Sequence, residues 1–371
     1  MSQPPTWNVV VAGGGAAGCA TAIGLARRGI DRVCIVDPGI SAGPRLGETI
    51  PPEARLVLNE LGVWRPFLEG NHDRCLGSCS AWGSPDLGYN DFLLNPHGCG
   101  WHLDRAGFET MLRHQAVSQG TALLREAKVG AVAPDGDHRL AVSVIGPAGA
   151  VREFGARYVV DATGWRSGVA RQAGARWREL DRLTFVYGFF DTSRAEAMSK
   201  LTLVEANELG WWYAGCLPDR KLAVAFASDP GIVRDHKLTL VPNWLERLGQ
   251  TRHLAALTQG CRLQSEKLAA RVAPTTCLDH ACGAYWLAVG DAAAACDPIS
   301  SQGIMNALED GVRASDVIAG AMAAGRALDP IYSDGVARRF ADYIDNRNYF
   351  YGMEHRWNES PFWRRRVNVT L

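Results

Sequence analysis

The chain opens on a short apolar run, Val9-Val10-Val11-Ala12, closed by glycines. A run of that length bounded by turn residues predicts a buried strand. Residues 13–18 predict a turn. Residues 19–28 predict a helix with small residues along one face, stopped by Gly29, and residues 33–36 predict a second strand. Together these make a strand–turn–helix–strand unit. Residues 52–63 have a proline start and a glycine stop and predict a short helix. Residues 70–100 are rich in Gly, Asn, Asp, Ser and Pro and predict loops with an occasional short strand. Helical spacing returns over 103–119, and strand-like runs follow at 142–145 and 158–160.

Between about 175 and 275 the texture changes. Residues 183–190, 201–205, 210–216 and 221–227 alternate or run apolar with turns between them, which predicts an antiparallel sheet. A helix is expected over 242–258. Residues 286–289 (Trp-Leu-Ala-Val) return to the buried-strand pattern, with helices from there to the end. The expected architecture is α/β: a Rossmann-like domain with a mostly antiparallel substrate-binding sheet domain inserted and helices at the C-terminus. The nucleotide domain is then discontinuous, over 1–70, 101–174 and 276–330. The sheet domain takes 71–100 and 175–275, and residues 331–371 form a helical tail.

At 371 residues the chain is long enough for a large core in closely joined domains. Lys+Arg and Asp+Glu are both 39, so the net charge is zero, which argues against bulk nucleic-acid binding. No stretch approaches the roughly 20 apolar residues of a membrane span, and residues 1–7 lack the regions of a signal peptide. The ten cysteines form no CxxC pair and read as reduced thiols of a cytoplasmic protein; the nine histidines form no HExxH or HxH group, so no metal site is expected.

The turn carries chemistry. Gly13-Gly14-Gly15-Ala16-Ala17-Gly18 contains G-x-G-x-x-G. The first glycine of that motif permits the tight turn, the second lets a pyrophosphate approach the backbone, and the third lets helix and strand pack closely. The helix start offers free N–H groups to the phosphates. Asp37, at the end of the second strand, can accept hydrogen bonds from ribose hydroxyls and disfavours a 2′-phosphate. A glycine-rich turn without a ligand is the bland alternative. The motif alone does not separate FAD from NAD.

Two later motifs do. Asp161-Ala162-Thr163-Gly164 follows the strand at 158–160, and Gly290-Asp291 follows the strand at 286–289 and runs on to Asp297-Pro298-Ile299-Ser300-Ser301-Gln302-Gly303-Ile304. Here the chain resembles the aromatic-hydroxylase type of FAD flavoprotein, within the glutathione-reductase-like folds. The resemblance implies FAD as cofactor, with Asp291 on a ribityl hydroxyl and the helix after Pro298 under the isoalloxazine. It also implies backbone N–H groups around Gly303 and Ile304 near the flavin N1/O2 edge, and cofactor contacts from Arg45, Gly47, Val129 and Gln302. Arg105 matches a helix-start arginine near the FAD phosphates; a plain ion pair with Asp104 or Glu109 is its alternative. Asp161 reads as a cap for the turn that follows.

A narrower resemblance rests on Arg45-Leu46-Gly47-Glu48-Thr49-Ile50-Pro51-Pro52, on Gly210-Trp211-Trp212-Tyr213 with Leu217-Pro218, and on the tail around Trp357 and Trp363. These are similar to the FAD-dependent tryptophan halogenases and their hydroxylating relatives. Halogenases place a lysine shortly after the G-E segment, whereas the first lysine here is Lys128; their W-x-W-x-I-P signature is also missing. The chain looks closer to the flavoprotein maturases of cysteine tryptophylquinone oxidases, the lysine-oxidase and glycine-oxidase types. That resemblance implies a monooxygenase working through a flavin C4a-hydroperoxide on a tryptophan in a partner protein or peptide. NAD(P)H or a separate flavin reductase would supply the electrons. A flavin-dependent halogenase and a non-catalytic maturation chaperone are the other readings. Glu48 is the candidate for a polar, proton-handling contact near the flavin, or else a cap of the helix at 52–63. Trp211, Trp212 and Tyr213 line the substrate surface or else belong to the core. The basic run 364–366 is expected to be a solvated end.

Overall fold

The computed structural model describes residues 5–39, 46–136, 139–193, 200–367 and 369. Its first sheet has seven strands. Six of them run in the spatial order Ala122–Arg125, Val33–Asp37, Thr6–Ala12, Val151–Asp161, Leu140–Ile145 and Lys128–Pro134, and the seventh, Trp286–Ala288, pairs with Val151–Asp161 off that path. Thr6–Ala12 pairs in parallel with both of its neighbours. Val151–Asp161 is long enough to serve two partners. Its first half pairs antiparallel with Leu140–Ile145, and its last residues pair in parallel with Trp286–Ala288. The returning chain therefore adds a strand beside the N-terminal unit, so residues more than a hundred positions apart build one parallel core.

The helix Ala16–Arg27 packs on this sheet and against the 21-residue helix Gly303–Ala323. Small residues set that contact. A Cβ on Gly311 would lie 2.6 Å from the Ala20 Cβ and 2.7 Å from the Thr21 nitrogen, and one on Gly24 would lie 2.4 Å from the Ser315 Oγ. The small-residue face of the first helix is a consequence of this close approach.

The second sheet has nine strands, from Ala294–Ala295 through Ala269–Leu278, Trp177–Asp191, Lys221–Ser228, Gly210–Leu217, Leu201–Asn207 and Gly77–Ala81 to Gly88–Asp91, with Arg262–Leu263 beside Trp177–Asp191. It is antiparallel except where Leu201–Asn207 runs parallel to Gly77–Ala81. A small third sheet joins Thr49–Ile50, Gly100–His102 and Asp73–Cys75.

Side chains alternate across the large sheet, so its faces hold different cores. One packs Trp212, Val224 and Phe226 under Trp244 and Leu254. The other packs Trp211, Phe185, Tyr187 and Ala225 against Tyr351, Phe362 and Trp363 from the C-terminal helices. The structure departs from the sequence pattern in three places. Residues 242–258 form two helices, Val241–Gly249 and His253–Leu257, broken after Gly249. The strands Lys128–Pro134, largely exposed, and Ala269–Leu278, exposed at its start and buried over its second half, follow from pairing with neighbours; their own sequences give no clear alternation. The basic end is not solvated throughout: Arg366 is 1% exposed and Arg365 pairs with Asp229 at 2.8 Å, while Arg364 alone of the three is exposed without an ion pair among the described residues. No helix among the described residues is long and apolar enough to cross a membrane.

Candidate functional site

The glycine turn sits between the first strand and its helix, as the fingerprint requires, and its glycines have different physical duties. Gly13 has φ +113°, and a Cβ there would lie 2.3 Å from the Ala162 oxygen; a Cβ on Gly18 would lie 2.0 Å from the Gly13 oxygen. Those two are fixed by the protein's own packing. Gly15 precedes the helix Ala16–Arg27 with an ordinary extended backbone, and among the described residues nothing lies within 4 Å of its Cβ position. Its lack of a side chain answers to no protein neighbour, which is what a ligand-facing glycine requires.

Asp37 faces the turn: a Cβ on Gly14 would come within 2.7 Å of its Oδ2. Its Oδ1 accepts from the Gly39 nitrogen, and its Oδ2 accepts from Arg113 Nε at 2.9 Å. Arg113, Glu109 and Arg105 form a ladder along the helix Arg105–Ser118, with Arg105 Nε donating to Glu109 at 3.1 Å and Arg113 Nη2 at 3.4 Å. The expected ion pair of Arg105 is therefore present, and its Nη1 also donates to the Gly47 oxygen at 2.7 Å. The ladder carries charge from Asp37 at one end to the Gly47 segment at the other.

Asp291 follows the strand Trp286–Ala288. Its side chain is open to water, yet protein surrounds it on most sides, so it lies in a recess. That confinement pushes its carboxyl above the usual range; the nearby Arg105 guanidinium opposes the rise and Asp310 adds to it. Asp310 is held by Arg339 and Arg313, and it accepts from the Gly290 nitrogen. After Asp297 comes one short turn, then the helix Gly303–Ala323 begins, and again no atom approaches the Cβ position of Gly303. Pro298 and Gln302 are exposed here, and Ile304 is buried. Val129 lies half-buried in the strand Lys128–Pro134, whose start is tied to Asp37 through Ala127. Arg45 lies outside the described residues. The residues present fit FAD: an open glycine at one helix start, a second open helix start, and a guanidinium beside a carboxylate in a recess between them.

Glu48 is 1% exposed. Its Oε2 accepts from the Gly47 nitrogen at 2.9 Å, and Oε1 has no partner among the described residues. Burial pushes the carboxyl up to about 8, against the pull of the Gly47 N–H and Arg105. The helix that follows shows no side-chain cap from this region, so the capping reading of Glu48 fails. Next to it, the Thr49 Oγ1 lies 2.9 Å from the Tyr213 Oη and 3.2 Å from the His102 Nδ1. Burial holds the His102 ring down to about 4 and lifts the Tyr213 hydroxyl well above its usual range. The result is a neutral polar chain beside a neutral acid.

The three aromatic candidates separate. Tyr213 is half-buried and, with Leu46 and Ile299, packs at the margin of the face that carries Trp211. Trp211 is 2% exposed and gives its Nε1 to the Tyr351 Oη at 3.1 Å. Trp212 points to the opposite face, fully buried against Phe226 and Trp244. Neither tryptophan lines an open surface: the C-terminal helices cover Trp211, and the helices Val241–Gly249 and His253–Leu257 cover Trp212. Asp161 caps the helix Gly168–Gln172, accepting from Val169 and Ala170 at 2.8 Å. Sequence reasoning offered Glu109 only as an alternative ion-pair partner of Arg105, and missed Arg113, His102, Asp310 and Tyr351. The i, i+4 spacing of 105, 109 and 113 is a readable signal for the first two; the others depend on tertiary contact. Among the described residues no group of His, Cys, Asp and Glu is placed to hold a metal.

Known proteins resemble this chain in sequence and in fold. The sequence profile of the FAD binding domain family matches residues 6–228. LodB of Marinomonas mediterranea, provisionally described as an FAD-dependent oxidoreductase, is 26% identical over 364 residues, covering 97% of each chain. Among solved structures, the myxobacterial chondrochloren halogenase CndH superposes with a TM-score of 0.88 at 21% identity, covering 99% of this chain and 87% of its own. The peptidyl tryptophan dihydroxylase QhpG, essential for tryptophylquinone cofactor biogenesis, superposes with a TM-score of 0.76 at 24% identity, covering 98% and 79%. With a profile match over more than half its length and a fingerprint shaped for a dinucleotide, the chain belongs to the FAD binding domain family and is an FAD-dependent oxidoreductase.

Proposed function

We propose that this enzyme is a monooxygenase that hydroxylates an aromatic ring, namely the indole of a tryptophan carried by a partner protein or peptide, in the maturation of a tryptophylquinone cofactor. The observation that carries the choice over halogenation is the placement of lysine. The chain has five, at 128, 200, 221, 237 and 267, and all are exposed or half-exposed rather than set in the recess. A hypohalous species needs a captured, desolvated amine. An electrophilic oxygen meeting an electron-rich indole needs mainly alignment and a dry site. The end-to-end likeness to LodB supports an FAD-dependent oxidoreductase, and QhpG shows that this fold, which the halogenase CndH shares, also carries peptidyl tryptophan hydroxylation.

When bound and reduced by NAD(P)H or a separate reductase, FAD would supply the two electrons that activate O2, one oxygen atom going to the ring and the other leaving as water. The chain's own residues hold and orient. Gly13, Gly15, Ala16, Ala17 and Gly18 present backbone to the pyrophosphate, and Asp37, steadied by Arg113, holds the adenosine ribose. Arg105 and Asp291 hold the linker between phosphate and ring, with Gly47 and Val129 as backbone contacts. Pro298, Gln302, Gly303 and Ile304 hold the ring. Glu48, whose carboxyl burial pushes up to about 8, would hold a proton close to the flavin, and Tyr213 would face the substrate side. Co-expression with a candidate partner followed by mass spectrometry tests the reading. The expected result is a gain of one or two oxygen atoms on a tryptophan. An unmodified partner would return the choice to small aromatic substrates, and bromide or chloride on the product would establish the halogenase.

A further inference from the structure

The loop 297–302 is not held by its own domain alone. Asp297 is fully buried, and its Oδ1 accepts from the Ile299 nitrogen at 2.9 Å, fixing the single turn that ends at Ser300. Its Oδ2 accepts from the Tyr351 Oη at 2.7 Å, and its backbone nitrogen donates to the Tyr343 Oη at 2.7 Å. Both tyrosines belong to the helix Ile331–Gly352, far along the chain.

Tyr351 joins three parts of the molecule. Its hydroxyl donates to Asp297 and accepts from Trp211 Nε1, on the large sheet. Its ring lies under the Arg347 guanidinium at 4.7 Å and against Trp363 at 5.9 Å. Arg347 in turn reaches Asp181 at 2.6 Å, and Asp181 also accepts from Arg366 at 3.0 Å. The segment 343–366 thus clamps the loop, the sheet and itself through the buried Tyr351, Arg347 and Arg366 and the half-buried Asp181. A hydroxyl with one proton and two lone pairs can serve both contacts only in this geometry, so loop and sheet are located relative to each other through one oxygen.

We infer that the C-terminal segment 343–366 positions the loop 297–302 against the flavin, with Tyr351 as the positioning residue that sets the loop's distance from the large sheet. This rests on the placement of the flavin ring at residues 298–304. Tyr351 touches neither cofactor nor substrate; it acts through Asp297. The packing of its ring is separable from the hydrogen bonding of its oxygen, and only the second reaches the loop.

Tyr351→Phe keeps the ring and removes the oxygen. In the full-length holoenzyme, the FAD dissociation constant should rise roughly five- to tenfold, the size of one charge-assisted hydrogen bond partly transmitted to the ligand. The visible circular dichroism of the bound flavin should change with it. Trp244→Phe removes a comparable buried hydrogen bond, to the Val186 oxygen on the opposite sheet face. It should lower the melting temperature and leave both flavin readings alone. Asp297→Asn is the second variant if Tyr351→Phe does not load; it retains shape and an acceptor for Ile299 but opposes an N–H to the tyrosine, and it should move the flavin readings in the same direction. Asp291→Ala reports on the site itself and should lose FAD strongly. Wild-type affinity and dichroism in Tyr351→Phe, with FAD lost from Asp291→Ala, would overturn the positioning role and leave the site intact. Full retention of FAD by Asp291→Ala would overturn the placement of the flavin, and the inference with it.

Discussion

At the scale of single residues, the three glycines of the fingerprint answer to different partners, and substitution separates them. Gly15→Ala adds a methyl group into open space on a backbone that alanine adopts freely. The cofactor-free protein should therefore keep its stability to within about 0.5 kcal/mol. FAD binding should fall sharply, because the methyl occupies the approach of the pyrophosphate. Gly18→Ala, whose Cβ would collide with the Gly13 oxygen, should destabilise the protein by a few kcal/mol (about 1–3) even without cofactor. Differential scanning calorimetry on stripped protein, beside an FAD titration, checks both. Equal destabilisation by the two would mean that Gly15 is structural as well.

Glu48 makes a second residue-scale prediction. Its folded carboxyl titrates near 8 against an ordinary value of 4.5. Between those values the folded chain keeps a proton that the unfolded chain releases, so stability falls as pH rises through the window. His102 acts oppositely: with its ring held down to about 4 against 6.5, it contributes stability that is lost as pH falls from 6.5 toward 4. The two slopes oppose each other up to about 6.5, and above that Glu48 acts without His102. In stripped protein, the stability difference between Glu48→Gln and wild type should therefore grow in favour of the variant from pH 6.5 to 8. A difference that stays flat over that range would show that Glu48 is already ionised in the fold.

At the scale of elements, what the sequence could disclose was set by how far each element depends on its own residues. The strand–turn–helix–strand unit was legible because its apolar run, its glycines and Asp37 lie within some thirty positions and obey local rules. The alternation of Gly210–Leu217 was legible too, but not its consequence. One strand sends Trp211 and Trp212 to opposite faces, and only the strands and helices that cover each face decide whether an indole meets solvent, cofactor or core. Both tryptophans are core, and Tyr213 is the half-buried member of the trio. The helix Arg105–Ser118 shows the intermediate case. Its Arg105-Glu109-Arg113 spacing is written in the sequence, yet the role of the ladder, joining Asp37 to the Gly47 segment, exists only once the first sheet has formed.

At the scale of the whole molecule, the C-terminal helices close over one face of the large sheet through charge as well as packing. Arg347 and Arg366 are each 1% exposed and share Asp181, and Arg366 also reaches Asp229. None of this was legible: the basic run at the end of the chain carries no mark of burial, and its partners lie more than 130 residues away. A buried guanidinium is tolerated only while its partners remain, since desolvation costs more than an exposed pair returns. Asp181→Ala leaves two buried cations short of a partner and should cost about 3–5 kcal/mol in urea unfolding. Asp86→Ala removes an ion pair of similar length, 3.0 Å to Arg252, but with both side chains largely exposed, and should cost no more than about 1 kcal/mol. The contrast tests whether the C-terminal segment is bound by its buried charges or merely laid over an apolar face. If Asp181→Ala cost as little as Asp86→Ala, the aromatic packing of Tyr351, Phe362 and Trp363 would be holding the segment by itself. The arginines would then be passengers that remain hydrated in the unfolding-competent state. A cost several times larger would mean that the site loop, the sheet and the chain's end are stabilised as one cooperative unit, because the same aspartate serves an arginine from the helix that grips Asp297 and an arginine from the segment that covers the sheet.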